Sequence, residues 1–214
     1  IAFTVGFAAA PAPAAMVEAW TAVYDGPAGG MDLATAQAMD AAGNVYVTGF
    51  SSGGTTDYDY ATVSYGADGG ERWSARYDSG GGYDAASAAA AHPWGGVVVT
   101  GNSFGGDSGY DYATILYDSF GKALWTDRYD GPDGSSDYAT ALAVDGEGNI
   151  LVTGYSFASN AGYDFATVKY APDGSRLWTA RYDGPSGGSD YATAVAVDLR
   201  GNVYVTGFSR GANS

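Results

Sequence analysis

RLWTARYDGPSGGSDYATAVAVD, residues 176–198, repeats ALWTDRYDGPDGSSDYATALAVD, residues 123–145, almost word for word. A looser copy, RWSARYDSGGGYDAASAAAAH, stands at 72–92, and EAWTAVYDG at 18–26 begins another. Trp20, Trp73, Trp125 and Trp178 set the register, at spacings of 53, 52 and 53. Val-Thr-Gly triplets centred on Thr48, Thr100, Thr153 and Thr206 keep the same period. A period near 50 marks a repeat architecture, in which each unit is one supersecondary element stacked on the next.

Each unit divides into four short strand-like runs. In the third unit these are DYATALAVD (137–145, run a), NILVTGYS (149–156, b), YDFATVKYA (163–171, c) and RLWTARYD (176–183, d). Gly-containing turns, DGEG and PDGS, separate a from b and c from d, with glycine supplying positive φ. No stretch keeps a 3.6-residue apolar period, so almost no helix is expected. Four antiparallel strands per repeat is the blade of a β-propeller.

GNVYVTGFS at 43–51 and 201–209, and GNILVTGYS at 148–156, resemble the bacterial SBBP family of β-propeller repeats. The resemblance implies a propeller fold and leaves the function open. It also implies larger rings than 214 residues allow, and the second unit departs from the pattern with HPWGGVVVT. Runs a and b occur four times, whereas complete c and d runs follow only three of them. The missing pair is expected at the N-terminus. EAWTAVYDG is a d run, and AFTVGF (2–7) matches YATVSY (60–65) as a c run, with Thr4, Val5 and Phe7 at the places of Thr62, Val63 and Tyr65.

The expectation is therefore an all-β, small β-propeller with four blades of four antiparallel strands, one blade shared between N- and C-terminal strands. One domain covers 1–214, with units at about 20–72, 73–124, 125–177 and 178–214, the last completed by 1–19. Alanines at alternate positions of run a, such as Ala139, Ala141 and Ala143, suit the narrow axis of a small ring. A rival arrangement has residues 1–26 completing a neighbour's blade, which would join subunits head to tail into a filament. IAFTVGFAAAPAPAA at 1–15 resembles the tail of a signal peptide, but no basic segment precedes it and it is read as part of the fold.

Composition narrows the function. Acids outnumber bases 24 to 9, a net charge of −15, which repels nucleic acid. With no cysteine there are no disulfides and no thiolate metal sites. No apolar run reaches the ~18 residues of a membrane span. The single histidine, His92, occupies a turn position held by Asp in other units and reads as a tolerated surface substitution. No nucleophile–base arrangement is apparent, so no enzyme is expected. Arg76, Arg128 and Arg181 recur on run d and read as protection of an exposed strand edge.

Most aspartates fall on the loops of one face. Asp32, Asp84, Asp137 and Asp190 each begin run a, and ring symmetry would gather them at the channel mouth. Crowded carboxylates repel one another unless a cation or hydrogen-bond donors offset them. Calcium is the cation that suits Asp-rich loops, although no DxDxDG loop is present. The alternative is that each Asp caps its own turn. The expected role is a non-enzymatic, extracellular or cell-surface scaffold or interaction module, with a protein or glycan partner that includes the chain itself. Alternatives are a self-assembling filament subunit and a lectin-like binder.

Overall fold

A computed structural model of the protein describes residues 2–3 (backbone only), 18–54, 57–159, 162–185 and 187–210. The chain is built from strands: β1 (Ala2–Phe3), β2 (Ala22–Val23), β3 (Asp32–Met39), β4 (Val45–Ser52), β5 (Tyr58–Tyr65) and β6 (Glu71–Tyr77). There follow β7 (Ala85–Ala91), β8 (Val97–Phe104), β9 (Tyr110–Tyr117), β10 (Ala123–Tyr129) and β11 (Asp137–Val144). The last five are β12 (Ile150–Ala158), β13 (Gly162–Tyr170), β14 (Arg176–Tyr182), β15 (Asp190–Val197) and β16 (Val203–Ser209). They make three complete antiparallel blades, β3-β4-β5-β6, β7-β8-β9-β10 and β11-β12-β13-β14. Two separate two-stranded sheets, β1-β2 and β15-β16, flank them in sequence. Strands fall on the runs the repeat predicted.

The core sits in the middle strands. Val97, Val98, Val99, Ile150, Leu151 and Val152 have no exposed surface. Strand a of each blade packs on strand a of the next, β3 on β7, β7 on β11 and β11 on β15.

The Val-Thr-Gly triplet has a geometric cause. Strand a carries a β-bulge in every unit, at Thr35, Ser87, Thr140 and Thr193, opposite the triplet. The bulge pushes its backbone against the triplet glycine. A Cβ on Gly154 would fall within the van der Waals shell of the Tyr138 carbonyl oxygen and 2.9 Å from the Ala139 Cα. The triplet threonine pairs with the threonine of strand c: Thr48–Thr62 at 2.9 Å, Thr100–Thr114 at 2.9 Å and Thr153–Thr167 at 2.8 Å between hydroxyl oxygens.

The bulge also links the blades. Thr35 donates to the Ala86 carbonyl of the next blade (2.5 Å), Ser87 to Ala139 (2.7 Å) and Thr140 to Ala192 (2.8 Å). On the outside, the tryptophans of β6 and β10 cover the c–d turn of the next blade. Trp73 Nε1 donates to Ser119 O (3.1 Å) and Trp125 Nε1 to Pro172 O (3.0 Å). Trp20, on the N-terminal half-blade, lies against Gly69 and Tyr65 in the same way.

The a–b turns explain the Asp-x-x-Gly-Asn signature. Asp145 Oδ1 accepts from the Glu147 and Asn149 backbone N–H groups (3.0 and 2.8 Å), and the Asn149 side chain donates to Oδ2 (2.8 Å). Gly148 takes φ +80° there.

One expectation is corrected, and the fourth blade is seen only in part. His92 is not a surface residue: it is 4% exposed. Its Nδ1 accepts from Trp94 N–H (3.4 Å), as the Asp oxygen does in sister turns, and its Nε2 reaches Gly148 O of the next blade (3.2 Å). The imidazole thus replaces the cap and adds a link between blades. The shared fourth blade is seen as two sheets, β1-β2 and β15-β16, with no ladder joining them among the described residues. Within the first sheet Phe3, rather than Thr4, pairs with Ala22, whereas Thr62 pairs with the equivalent Ala75. Residues 4–7 of the expected c run lie outside the described residues.

Gly154→Ala should lower unfolding free energy by about 1–3 kcal/mol or more, because backbone must move to admit the methyl. Gly146→Ala, where a Cβ meets nothing within 4 Å, should change it by less than about 0.5 kcal/mol. Urea unfolding of the two variants provides the comparison.

Candidate functional site

The loops joining d to a and b to c share one face, and the polar residues at that end of each blade are arranged in rows. Asp32, Ser51, Asp59 and Arg76 form the row of the first complete blade. Asp84, Ser103, Asp111 and Arg128 form the second, and Asp137, Ser156, Asp164 and Arg181 the third. Period-53 repetition on four paired strands puts these residues side by side.

The arginines are the centre of each row. Arg76 ion-pairs with Asp59 (2.6 Å), Arg128 with Asp111 (2.7 Å) and Arg181 with Asp164 (2.9 Å). Each also donates to the serine: Arg76 to Ser51 Oγ (2.6 Å) and O (3.0 Å), Arg128 to Ser103, Arg181 to Ser156. Arg128 reaches the Tyr77 hydroxyl of the preceding blade (3.1 Å). The arginines therefore lie folded inward across the blade end, which corrects their reading as edge protection.

The four strand-a aspartates are all buried, with exposures of 0–4%. Each carboxylate is taken up by the loop leading into its strand. Asp32 accepts from Gly26 N–H (3.1 Å), Asp137 from Gly131 (2.5 Å) and Asp190 from Gly184 (2.5 Å). Asp84 accepts from Ser79 N–H (2.9 Å), Ser79 Oγ (3.0 Å) and Phe104 N–H (3.0 Å). Among the described residues, the groupings able to hold a metal ion join three of them, Asp84, Asp137 and Asp190, to acids of the preceding blade, not to one another. They are Asp59–Asp78–Asp84, Asp111–Asp130–Asp137 and Asp164–Asp183–Asp190, each offering one oxygen per residue within 4.8 Å. The inter-blade partnership was missed in the sequence because c-strand and d-end acids lie 6 to 26 residues from the strand-a Asp and meet it only through the fold.

The second of these junctions holds unbalanced charge. Burial pushes the Asp137 carboxyl up to about 6; the Ser156 hydroxyl and Gly131 N–H oppose this, while Asp130 and Asp111 add to it. Asp130 is also raised, by burial and then by Asp111, with Arg128 opposing.

Around the same face runs a chain of half-exposed aromatics. Tyr138 lies 5.6 Å from Tyr110 and 5.2 Å from Tyr155, and Tyr155 lies 4.8 Å from Tyr191. Tyr191 stacks on Phe208 at 4.8 Å.

A carboxyl whose folded pKa is raised stabilises the fold below its unfolded pKa and loses that contribution as pH rises through the folded value. Asp137→Asn keeps the acceptor for Gly131 and removes the charge. In chelator-treated buffer its stability relative to the parent should rise between pH 4 and pH 7, with the change centred between the unfolded value of 3.8 and the folded value of about 6. Thermal melts of both proteins across that range measure it.

No curated protein matches the chain. The family model described as the beta-propeller repeat SBBP matches at two places, residues 131–160 and 180–213. Each match covers the acidic d–a loop, strand a with its bulge and strand b, the second beginning within β14; this is the part of the unit in which the Asp cap, the Asn turn and the Val-Thr-Gly triplet are fixed by contacts. Over these two stretches the chain is similar to the SBBP beta-propeller repeat.

Proposed function

We propose that the protein is a non-catalytic propeller scaffold of the cell exterior or surface, its ring completed by its own N-terminal hairpin and its loop face open to a protein or glycan partner. The observation that carries this reading is the unfinished state of β16. Tyr204 is 59% exposed, whereas the equivalent Tyr46, Val98 and Leu151 are covered to 1% or less. Among the described residues no strand pairs with its outer edge as β5, β9 and β13 pair with β4, β8 and β12. An exposed apolar strand edge recruits another strand.

The N-terminal hairpin is the matching half. Trp20 already holds it against the first complete blade. In a closed ring Thr206 would meet Thr4, as Thr153 meets Thr167, once the hairpin slips by one residue from the register that sets Phe3 opposite Ala22. Trp178, 38% exposed, would cover Phe7, as Trp125 covers Tyr170. Thr193, which now donates to Thr206 O of its own blade (3.4 Å), would reach the Ala34 carbonyl. The non-catalytic part of the reading is supported by the use of polar groups: both His92 nitrogens and the row arginines are engaged in links within and between blades. The exterior location rests on composition alone, and no helix of the described residues is long and apolar enough to cross a membrane.

The same open edge supports a second reading, in which the hairpin completes a neighbour's blade and builds a filament. The aromatic chain on the loop face supports a third, lectin-like one, since half-exposed tyrosines beside acids suit sugar faces. A glycan array with Tyr138→Ala as comparison addresses that reading.

The cysteine-free chain makes the test of closure direct. Oxidation of the double variant Thr4→Cys, Thr206→Cys should give a monomer with an internal cross-link. Ladders of cross-linked chains would establish exchange instead, and failure to cross-link in either manner would sink both.

A further inference from the structure

We propose that the second and third blade junctions are divalent-cation sites, each taking one calcium ion between Asp111, Asp130 and Asp137 and between Asp164, Asp183 and Asp190. The proposal rests on a difference among three otherwise equivalent junctions. In each, two acids are buried and one is exposed, with an oxygen of each within 4.8 Å of the others. In the second and third, both buried members carry an oxygen that no donor meets in hydrogen-bonding geometry: Asp111 Oδ1 and Asp137 Oδ1, then Asp164 Oδ1 and Asp190 Oδ1, the Ser156 hydroxyl beside Asp137 being engaged by Arg181. These four residues are 0–5% exposed. A buried carboxylate oxygen facing like charge without a donor is costly, and a cation relieves both terms at once.

The first junction shows how such oxygens are satisfied without an ion. Its d–a loop runs from Asp78 to Asp84, one residue shorter than those from Asp130 to Asp137 and from Asp183 to Asp190. The shorter loop brings Ser79 N–H and Oγ onto one oxygen of Asp84, while Phe104 N–H reaches the other. The longer loops bring a single glycine N–H to Asp137 and Asp190. The extra residue thus exchanges backbone donors for an open coordination position.

The charge agrees. At the second junction three carboxylates face one guanidinium, that of Arg128, which is bound to Asp111 Oδ2. The third has the same balance with Arg181 and Asp164. A 2+ ion neutralises what remains. Calcium fits better than magnesium, because the ligands are carboxylate oxygens on loops and the exposed acid leaves room for water and a path of entry. Its Kd is expected on the order of 10⁻⁴–10⁻³ M, the range of extracellular modules.

Calorimetric titration of the whole chain with calcium chloride should give two ions per chain, and calcium should raise the melting temperature over chelator. Asp130→Asn and Asp183→Asn change only the exposed ligands and leave the loop caps in place, so circular dichroism should be unaltered. Each should remove one ion, and the pair both. Asp78→Asn, at the first junction, should leave two. The proposal is overturned if millimolar calcium neither binds nor shifts the melt, which would mean that the Ser156 hydroxyl or a shared proton satisfies the carboxylates. It is equally overturned by three ions per chain, one of them lost with Asp78→Asn, or by a single ion lost with any of Asp32→Asn, Asp84→Asn, Asp137→Asn and Asp190→Asn, the signature of a channel-mouth site.

Discussion

The hydroxyl at each strand-a bulge donates to a main-chain carbonyl of the next blade's innermost strand, and the rest of the architecture is arranged so that it can. The carbonyl sits near the axis, where strands converge and a donor must project sideways from the sheet. An unbulged strand alternates its side chains between the two faces. One extra residue breaks the alternation and re-aims a short hydroxyl toward the neighbour. The bulge brings strand a into the backbone space opposite, so strand b must present a glycine there. The alanines flanking the bulge keep neighbouring strands close enough for bonds of 2.5–2.8 Å. Bulge, glycine and alanines are therefore one device, which is why they recur together.

Outward from the axis the joints change character. Apolar packing between the middle strands stabilises each blade but is non-directional and would tolerate sliding. The rows of Asp, Ser and Arg supply direction. Arg128 bonds within its own blade to Asp111 and Ser103 and across the joint to Tyr77. Half-buried ion pairs contribute modestly to net stability, because desolvation offsets much of the Coulomb gain. Removing one partner is far more damaging, since it strands the buried Asp. Such a network fixes the angle and register of one blade on the next more than it adds to the folding free energy.

This division decides what could be read in the sequence. Strands, turns, blade content and the family resemblance rest on local pattern and period, and these were legible: run b of the third unit, 149–156, is β12 at 150–158. His92 was misjudged because its partner, Gly148, is 56 residues away in the next blade. The arginines were misjudged for the same reason. A position on an outer strand says nothing of a side chain that folds back over the blade end. The strand-a aspartates were correctly singled out as unusual, yet their neighbours are acids of the preceding blade. Ring symmetry relates equivalent residues, whereas contact is made by inequivalent ones across each joint.

In the proposed closed ring the fourth joint would be built from different residues, and the difference is systematic. Tyr77 of one blade meets Arg128 of the next, but the position equivalent to Arg128 on β2 is Val23, which is 61% exposed. Tyr182, whose counterpart Tyr77 bonds to arginine, is 52% exposed. Tyr60 and Tyr112 each send a hydroxyl to a carbonyl of the next blade's strand c, Ala113 and Ala166, both at 3.1 Å. The third unit has Phe165 there, a ring with no hydroxyl to satisfy. A buried tyrosine left without its acceptor would be destabilising, whereas phenylalanine fills the same space at no such cost. Each change removes one side of a polar link: Val23 takes away the guanidinium and leaves Tyr182 half exposed, and Phe165 takes away the donor hydroxyl, so no buried charge or donor is stranded. A joint made this way would close through apolar surface and strand pairing alone. In the proposed closed ring it would be the weakest joint, and opening of the ring, or exchange of the hairpin with a second chain, would begin there.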